Sequence, residues 1–198
     1  MKNPNPQGKG LVPTLQALES VSNGLPSKRG SDTIILDYLA SALVLSARFT
    51  FKPVINTDYY LYWEQDCWQL SMVSPAEWGD RLTAKPVARC RLCDDLSWTL
   101  FPLDDQEPDP DVAEALLAFQ TSFLSTIDTS APLQDSLPFY EQSLPWYPRL
   151  MALGLAKTLQ HSLAALPVEL RSGQALIASH THHSLFLSSA PASPQQTS

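Results

Sequence analysis

Cys90 and Cys93 stand in "CRLC", the C-x-x-C spacing used by metal knuckles and thioredoxin-like redox sites. That chemistry needs more than the spacing. The chain holds one such pair, and its third cysteine, Cys67, falls in a different hairpin pattern. Two residues three apart on a regular strand point to opposite faces. No helix follows to draw a thiol pKa down. These are read as ordinary buried cysteines. "HTHH" (His180, His182, His183) could set two imidazoles on one side of a strand. It stands directly before a polar tail, so it reads as a solvated segment with at most adventitious metal.

"DDQEPDPD" (104–111) gathers five carboxylates in eight positions. It lacks the glycine and the closing glutamate of a calcium loop. It does resemble a helix start, with Asp109 as cap, Pro110 in the first turn and Asp111 at the positive dipole end. Motifs for covalent or phosphate chemistry are missing: no G-x-S-x-G, no H-E-x-x-H, no G-x-G-x-x-G. "GKG" (8–10) is not a phosphate loop, because the glycine spacing is wrong and Leu11 stands where Ser or Thr is needed. The sequence thus implies no cofactor and no metal, and leans away from an enzyme. Arg89 and Arg91 are the residues that could grip an anionic group if the chain binds a small ligand, with Cys67 or Cys90 in a thiol role.

Bulk properties narrow the partners. The 198 residues suit one domain with tails. A fold of this length buries about 70% of the unfolded surface, so no staple is required. Charged residues make up 17%, below the usual value of about 25%. Thirteen basic against twenty acidic groups leave a net charge of −7. With the basic residues scattered, that field repels polyanions, which argues against nucleic acid and against an anionic membrane. "MKNPNPQGKGLVP" has no apolar h-region. The longest apolar stretch, Ile34 to Ala47, is broken by Asp37, Ser41 and Ser46 and is too short to span a bilayer. Three cysteines cannot all pair internally, and the expected setting is a reducing cytoplasm.

The elements follow from periodicity. Residues 1–30 read as an extended arm, with a short helix after Pro13 carrying Leu15, Leu18 and Val21 on one face. Ser31-Asp32 offers a cap for a buried helix from Ile35 to Leu45. Phe49, Phe51 and Ile55 alternate as a strand. In "YYLYWEQDCWQLSMV" a tight turn at Gln65-Asp66 pairs Trp63 with Trp68, Leu61 with Leu70 and Tyr59 with Met72. Tyr60 and Tyr62 then lie on the second, half-wet face. "PVARCRLC" and "LSWTLFPL" make a second hairpin through Asp94-Asp95. Helices follow at 111–126 and at 146–166, the latter ended by Pro167. The expectation is an α+β fold: an antiparallel meander of about five strands, with helices before and after it packed on one face. The folded domain is 31–167; residues 168–198 form an extension, disordered from about 188.

"SLPFYEQSLPWYP" (136–148) repeats a five-residue phrase. Its second copy reads as a helix start, with Ser143 as cap and Pro145 in the first turn, and with Phe139 and Trp146 closing the core. The competing reading makes Phe139, Tyr140, Trp146 and Tyr147 an exposed aromatic platform. Four stretches, "NPNPQGKGLVP", "DYLASALVLSARFTFKPV", "YYLYWEQDCWQLSMVSPAEWG" and "SLPWYPRLMA", resemble a family of small bacterial cytoplasmic proteins. That resemblance covers about residues 3–166 and implies no activity or site. The functional expectation is a non-enzymatic protein-interaction module, adaptor or chaperone-like, contacting another protein through Tyr60, Tyr62, Phe139, Tyr140, Trp146 and Tyr147. The alternative is a small-ligand domain or enzyme with a pocket between the sheet and the last helix.

Overall fold

The computed structural model describes residues 30–103, 109–139 and 143–179. The expected arm and short helix at 1–29, part of the acidic run (104–108), Tyr140, the His180–His183 segment and the polar tail lie outside the described residues. Among the described residues the chain is α+β, with helices α1 (Ser31–Ser46), α2 (Pro75–Trp78), α3 (Pro110–Ile127), α4 (Trp146–Ala164) and α5 (Gly173–Ser179). The sheet comprises β1 (Asp58–Glu64), β2 (Cys67–Ser71), β3 (Lys85–Leu92) and β4 (Trp98–Pro102).

α1 is buried nearly all round: Ile34, Ile35, Leu39, Leu43 and Val44 are each at most 1% exposed. It lies between the sheet and α4, touching β4, β2, α4 and α5. The position before it, Gly30, takes the N-cap without a side-chain bond, so tertiary packing rather than the expected cap holds the start. A buried polar set ties layers together. Ser41 Oγ accepts from the Trp98 amide at 2.8 Å, and Thr158 Oγ1 donates to the Asp95 carbonyl.

The first hairpin forms in the expected register, Trp63 opposite Trp68 and Leu61 opposite Leu70. Gln65 and Asp66 both take positive φ (50° and 57°), as a two-residue hairpin turn of type I′ requires. The pairing stops at Ser71, so Tyr59 does not meet Met72, which is 63% exposed. The second hairpin pairs Leu92 with Trp98 and Cys90 with Leu100. Leu96, expected in the strand, sits instead in the turn at φ 65°.

Two expectations need correction. The sheet has four strands, and its order is β2-β1-β3-β4, so β3 takes the far edge of β1 rather than following β2. The segment 49–55 is not a strand, although Phe49 and Phe51 do face inward. Pro53 has no N–H, and the Val54 amide donates to Tyr59 Oη at 2.7 Å instead of to a ladder. Phe51 stacks on Tyr59, and Tyr59 meets Trp98 edge-on, so rings rather than backbone bonds hold this segment. Only Arg48 reaches the sheet edge, bridging Gln69 in parallel.

The last helix also starts differently. Pro145 occupies the N-cap, and α4 begins at Trp146, with Pro148 buried in its first turn, where a missing N–H costs nothing. Trp146 does not close the core; it is 53% exposed. Folded structure continues past Pro167. Leu176 on α5 is fully buried, and Gly173 sits so close to α3 that an added Cβ would lie 1.7 Å from the Ile127 carbonyl oxygen.

Candidate functional site: the open face of the sheet

Side chains alternate across a strand, so one face of this sheet is committed to the core. Tyr59, Leu61, Trp68, Leu70, Cys90, Leu92 and Trp98 fill it. The register assigns the other face. Asp58 stands opposite Arg91 and Tyr60 opposite Arg89; on the far side Arg89 stands opposite Phe101 and Arg91 opposite Thr99. Three strands therefore place Asp58, Tyr60, Arg89, Arg91, Thr99 and Phe101 side by side.

The two guanidinium groups share one carboxylate. Arg91 Nε donates to Asp58 Oδ1 at 2.7 Å and its Nη2 to Oδ2 at 3.1 Å, while Arg89 Nη1 donates to Oδ2 at 2.9 Å. The Arg89 guanidinium carbon lies 4.2 Å from the Phe101 ring centre and that of Arg91 5.7 Å away. Both cations thus lean on one aromatic ring, a geometry worth roughly 0.5–1 kcal/mol at exposed sites. The triad carries a surplus of one positive charge. It sits where the side chains of Asp58, Arg89 and Arg91 remain 33%, 33% and 40% exposed.

The bidentate bond from Arg91, and next the bond from Arg89, hold the Asp58 carboxyl below its ordinary value of 3.8. A depressed carboxylate contributes stability above its unfolded pKa, and that contribution is lost as pH falls through the folded one. Asp58→Asn is therefore expected to be less stable than wild type at about pH 7, by up to about 1 kcal/mol for so exposed a pair. The gap should close by about pH 2. Urea unfolding of both proteins at the two pH values checks this; a gap that does not change with pH would assign the effect to something other than the carboxylate.

Among the described residues expected to form a contact surface, only Tyr60 shares this face with Arg89 and Arg91. Tyr62 is 3% exposed. The chain leaving β2 turns across it, and its hydroxyl donates to the Val73 carbonyl at 2.7 Å. Burial, with Tyr60 and Glu77 adding, pushes its phenol up to about 12. Phe139 is half-buried against the core. Trp146 and Tyr147 are exposed, but they start α4 and belong to the helical layer. Tyr60 and Trp146 are thus on different surfaces.

Arg89 and Arg91 were legible as candidates; Asp58 and Phe101 were missed. Asp58 reads locally as part of a turn, and only the β1–β3 pairing makes it their partner. Phe101 had a signal, since it alternates with buried Trp98 and partly buried Leu100, the core-facing positions of its own strand.

The cysteines are free thiols in separate settings. Cys90 is on the core face, and burial pushes its thiol well above the usual range. Cys93 lies beyond β3, its Sγ 3.3 Å from Thr99 Oγ1. Among the described residues no three His, Cys, Asp or Glu side chains are grouped to hold a metal ion. An open crevice of about 400 Å³ lies by the first hairpin turn, lined by residues including Trp63, Glu64, Thr83, Lys85 and Asp111. Its cation is engaged, because Lys85 Nζ binds Asp109 at 2.8 Å and also Asp111. Asp109 caps α3, accepting from the Asp111 amide at 3.0 Å, with Pro110 in the first turn.

No described helix is long and apolar enough to cross a membrane. No family model, curated protein or solved structure matches the chain.

Proposed function

We propose that the chain is a non-enzymatic protein-interaction module, an adaptor or chaperone-like factor, whose partner docks on the open face of the sheet. The observation that carries this is the array Tyr60–Arg89–Phe101, with Arg91 and Asp58 beside it, on a face that the core does not use. Tyr and Arg are the residue types that dominate interface hot spots. Here the arginines are also held in place, by a carboxylate and by a ring, so little side-chain freedom remains to be lost on binding. Free thiols at Cys67, Cys90 and Cys93 fit a reducing cytoplasm. The net charge of −7 fits a protein partner better than nucleic acid or membrane.

The ligand reading has less behind it. The crevice lies at the hairpin tip, not between the sheet and α4, and Lys85 within it is already neutralised.

The experiment is an affinity pull-down from the native host with wild type, Phe101→Ala and Arg89→Ala, each checked for an unchanged urea midpoint. A stoichiometric protein held by wild type and lost by both variants is the expected result. Retention by both variants would remove this face from the function.

A further inference from the structure

A guanidinium presents a fork of two parallel N–H groups along its Nε/Nη2 edge, the geometry that matches a carboxylate. Arg91 closes its fork on the Asp58 carboxylate. Arg149 closes its own on the Leu144 carbonyl, and Arg171 on the Leu166 and Ala164 carbonyls. Arg89 is different. It reaches Asp58 through Nη1, and its Nε and Nη2 have no partner among the described residues. Arg48 and Arg81 also leave the fork open, but both are exposed, with neither carboxylate nor ring to hold them among the described residues. Arg89 has both: Asp58 fixes one corner of its guanidinium, and the Phe101 ring centre lies 4.2 Å from the guanidinium carbon. An open fork is thus held in one place on the sheet, with little side-chain freedom left to lose when it is filled.

Charge decides what fills it. Two guanidinium groups and one carboxylate leave a surplus of one positive charge, which a single carboxylate cancels. A phosphomonoester brings about −1.5 to −2 at pH 7 and would leave the site negative, in a chain already at −7. A chain-terminal carboxylate is characteristically captured by backbone N–H groups, whereas the donors here are side chains standing off a sheet face. Resting on the reading that a protein docks on this face, we infer that the Arg89 fork takes an aspartate or glutamate side chain of that partner. The residues flanking that side chain lie on Phe101 and Tyr60, the ring-bearing neighbours of Arg89 on β4 and β1. Asp58 and Arg91 are positioning residues: Arg91 holds Asp58, and Asp58 holds Arg89. The partner is thereby specified as an acidic segment with uncharged flanks.

The test uses the full chain, with the Arg89 Nε–H signal followed by nitrogen–proton NMR and assigned by its loss in Arg89→Lys. The titrants are pools of end-blocked pentapeptides with glutamate, glutamine or phosphoserine at the centre and flanks randomised over uncharged residues. The expected result is a saturable shift of the Arg89 signal, with the glutamate pool binding about fivefold or more tighter than the glutamine pool. The phosphoserine pool should bind no more tightly than the glutamate pool. In Arg89→Lys, which keeps the charge and loses the fork, the preference read on the Phe101 amide should fall below about fivefold. No binding by the glutamate pool, a smaller preference in wild type, a tighter phosphoserine pool or a preference kept in Arg89→Lys each overturns the inference. The docking reading fails separately, when a captured partner is retained by both Phe101→Ala and Arg89→Ala. A partner lost by both variants, beside pools that are not told apart, would overturn the carboxylate alone.

Discussion

Trp98→Ala is expected to destabilise the protein by about 3–5 kcal/mol, enough to leave it marginal or unfolded at 37 °C. The ring is fully buried, packed edge-on against Tyr59 at 5.8 Å, and through Tyr59 it supports Phe51. Removing it opens a cavity where sheet, α1 and the 49–54 segment meet, and the segment has no ladder to hold it in place. The indole adds a second, opposing effect. Its Nε1–H is buried with no hydrogen-bond partner among the described residues. A buried unsatisfied donor costs about 1–3 kcal/mol, and phenylalanine has none. Trp98→Phe should therefore lose far less than its change in volume suggests, about 1 kcal/mol or less. Urea unfolding of the pair separates the two effects. Equal losses in both variants would mean that the indole nitrogen is satisfied in solution, and a small loss in the alanine variant would mean that the ring is not a keystone.

Gly173→Ala is the second large effect, and here even the sign is informative. Helix propensity alone favours alanine over glycine by up to about 1 kcal/mol. Packing opposes it: the new Cβ would stand 1.7 Å from the Ile127 oxygen and 2.8 Å from its carbonyl carbon, both backbone atoms that cannot rotate away. α5 must then lift off α3, drawing Leu176 from a fully buried site. The expected cost is about 2–3 kcal/mol, the upper range for overpacking. Thermal unfolding measures the cost, and limited proteolysis should show new cutting at Arg171, which now donates to the Leu166 and Ala164 carbonyls. A stabilised variant would mean that α5 does not dock as described.

What the sequence disclosed, and what it withheld, divides along one line. The turn and register of the hairpin at Gln65-Asp66 were readable, because a two-residue turn and period-two alternation fix register locally, while the end of its ladder, short of Tyr59 and Met72, was not. The cap of α3 at Asp109 was readable for the same reason: three adjacent residues decide it. The 49–55 segment misled because alternation reports which side faces inward and says nothing about whether a backbone finds a ladder. Tyr62 misled because its covering comes from Val73 and the turn after it, which close over a face that alternation alone leaves wet. Trp146 misled in the opposite sense, since burial was inferred from residue type, and a first-turn position can point anywhere the tertiary fold allows. Asp58 was invisible as a partner of Arg89 and Arg91, because β1 and β3 join across the interior of the sheet order rather than through a turn.

That same strand order gives the open face a place in the history of each molecule. The hairpins β1–β2 and β3–β4 close through short turns, events on a scale of about 1–10 μs. The β1–β3 seam brings together Asp58 and Arg91, thirty-three positions apart, and must wait for the loop between the hairpins to close. Each hairpin alone holds half of the array: Asp58 and Tyr60 on one, Arg89, Arg91 and Phe101 on the other. A chain stalled with both hairpins made and the seam open, whether newly synthesised or partly unravelled, displays neither the shared carboxylate nor the continuous surface. If the proposed partner reads this face, it selects for finished copies, and its occupancy tallies how many chains have completed their sheet.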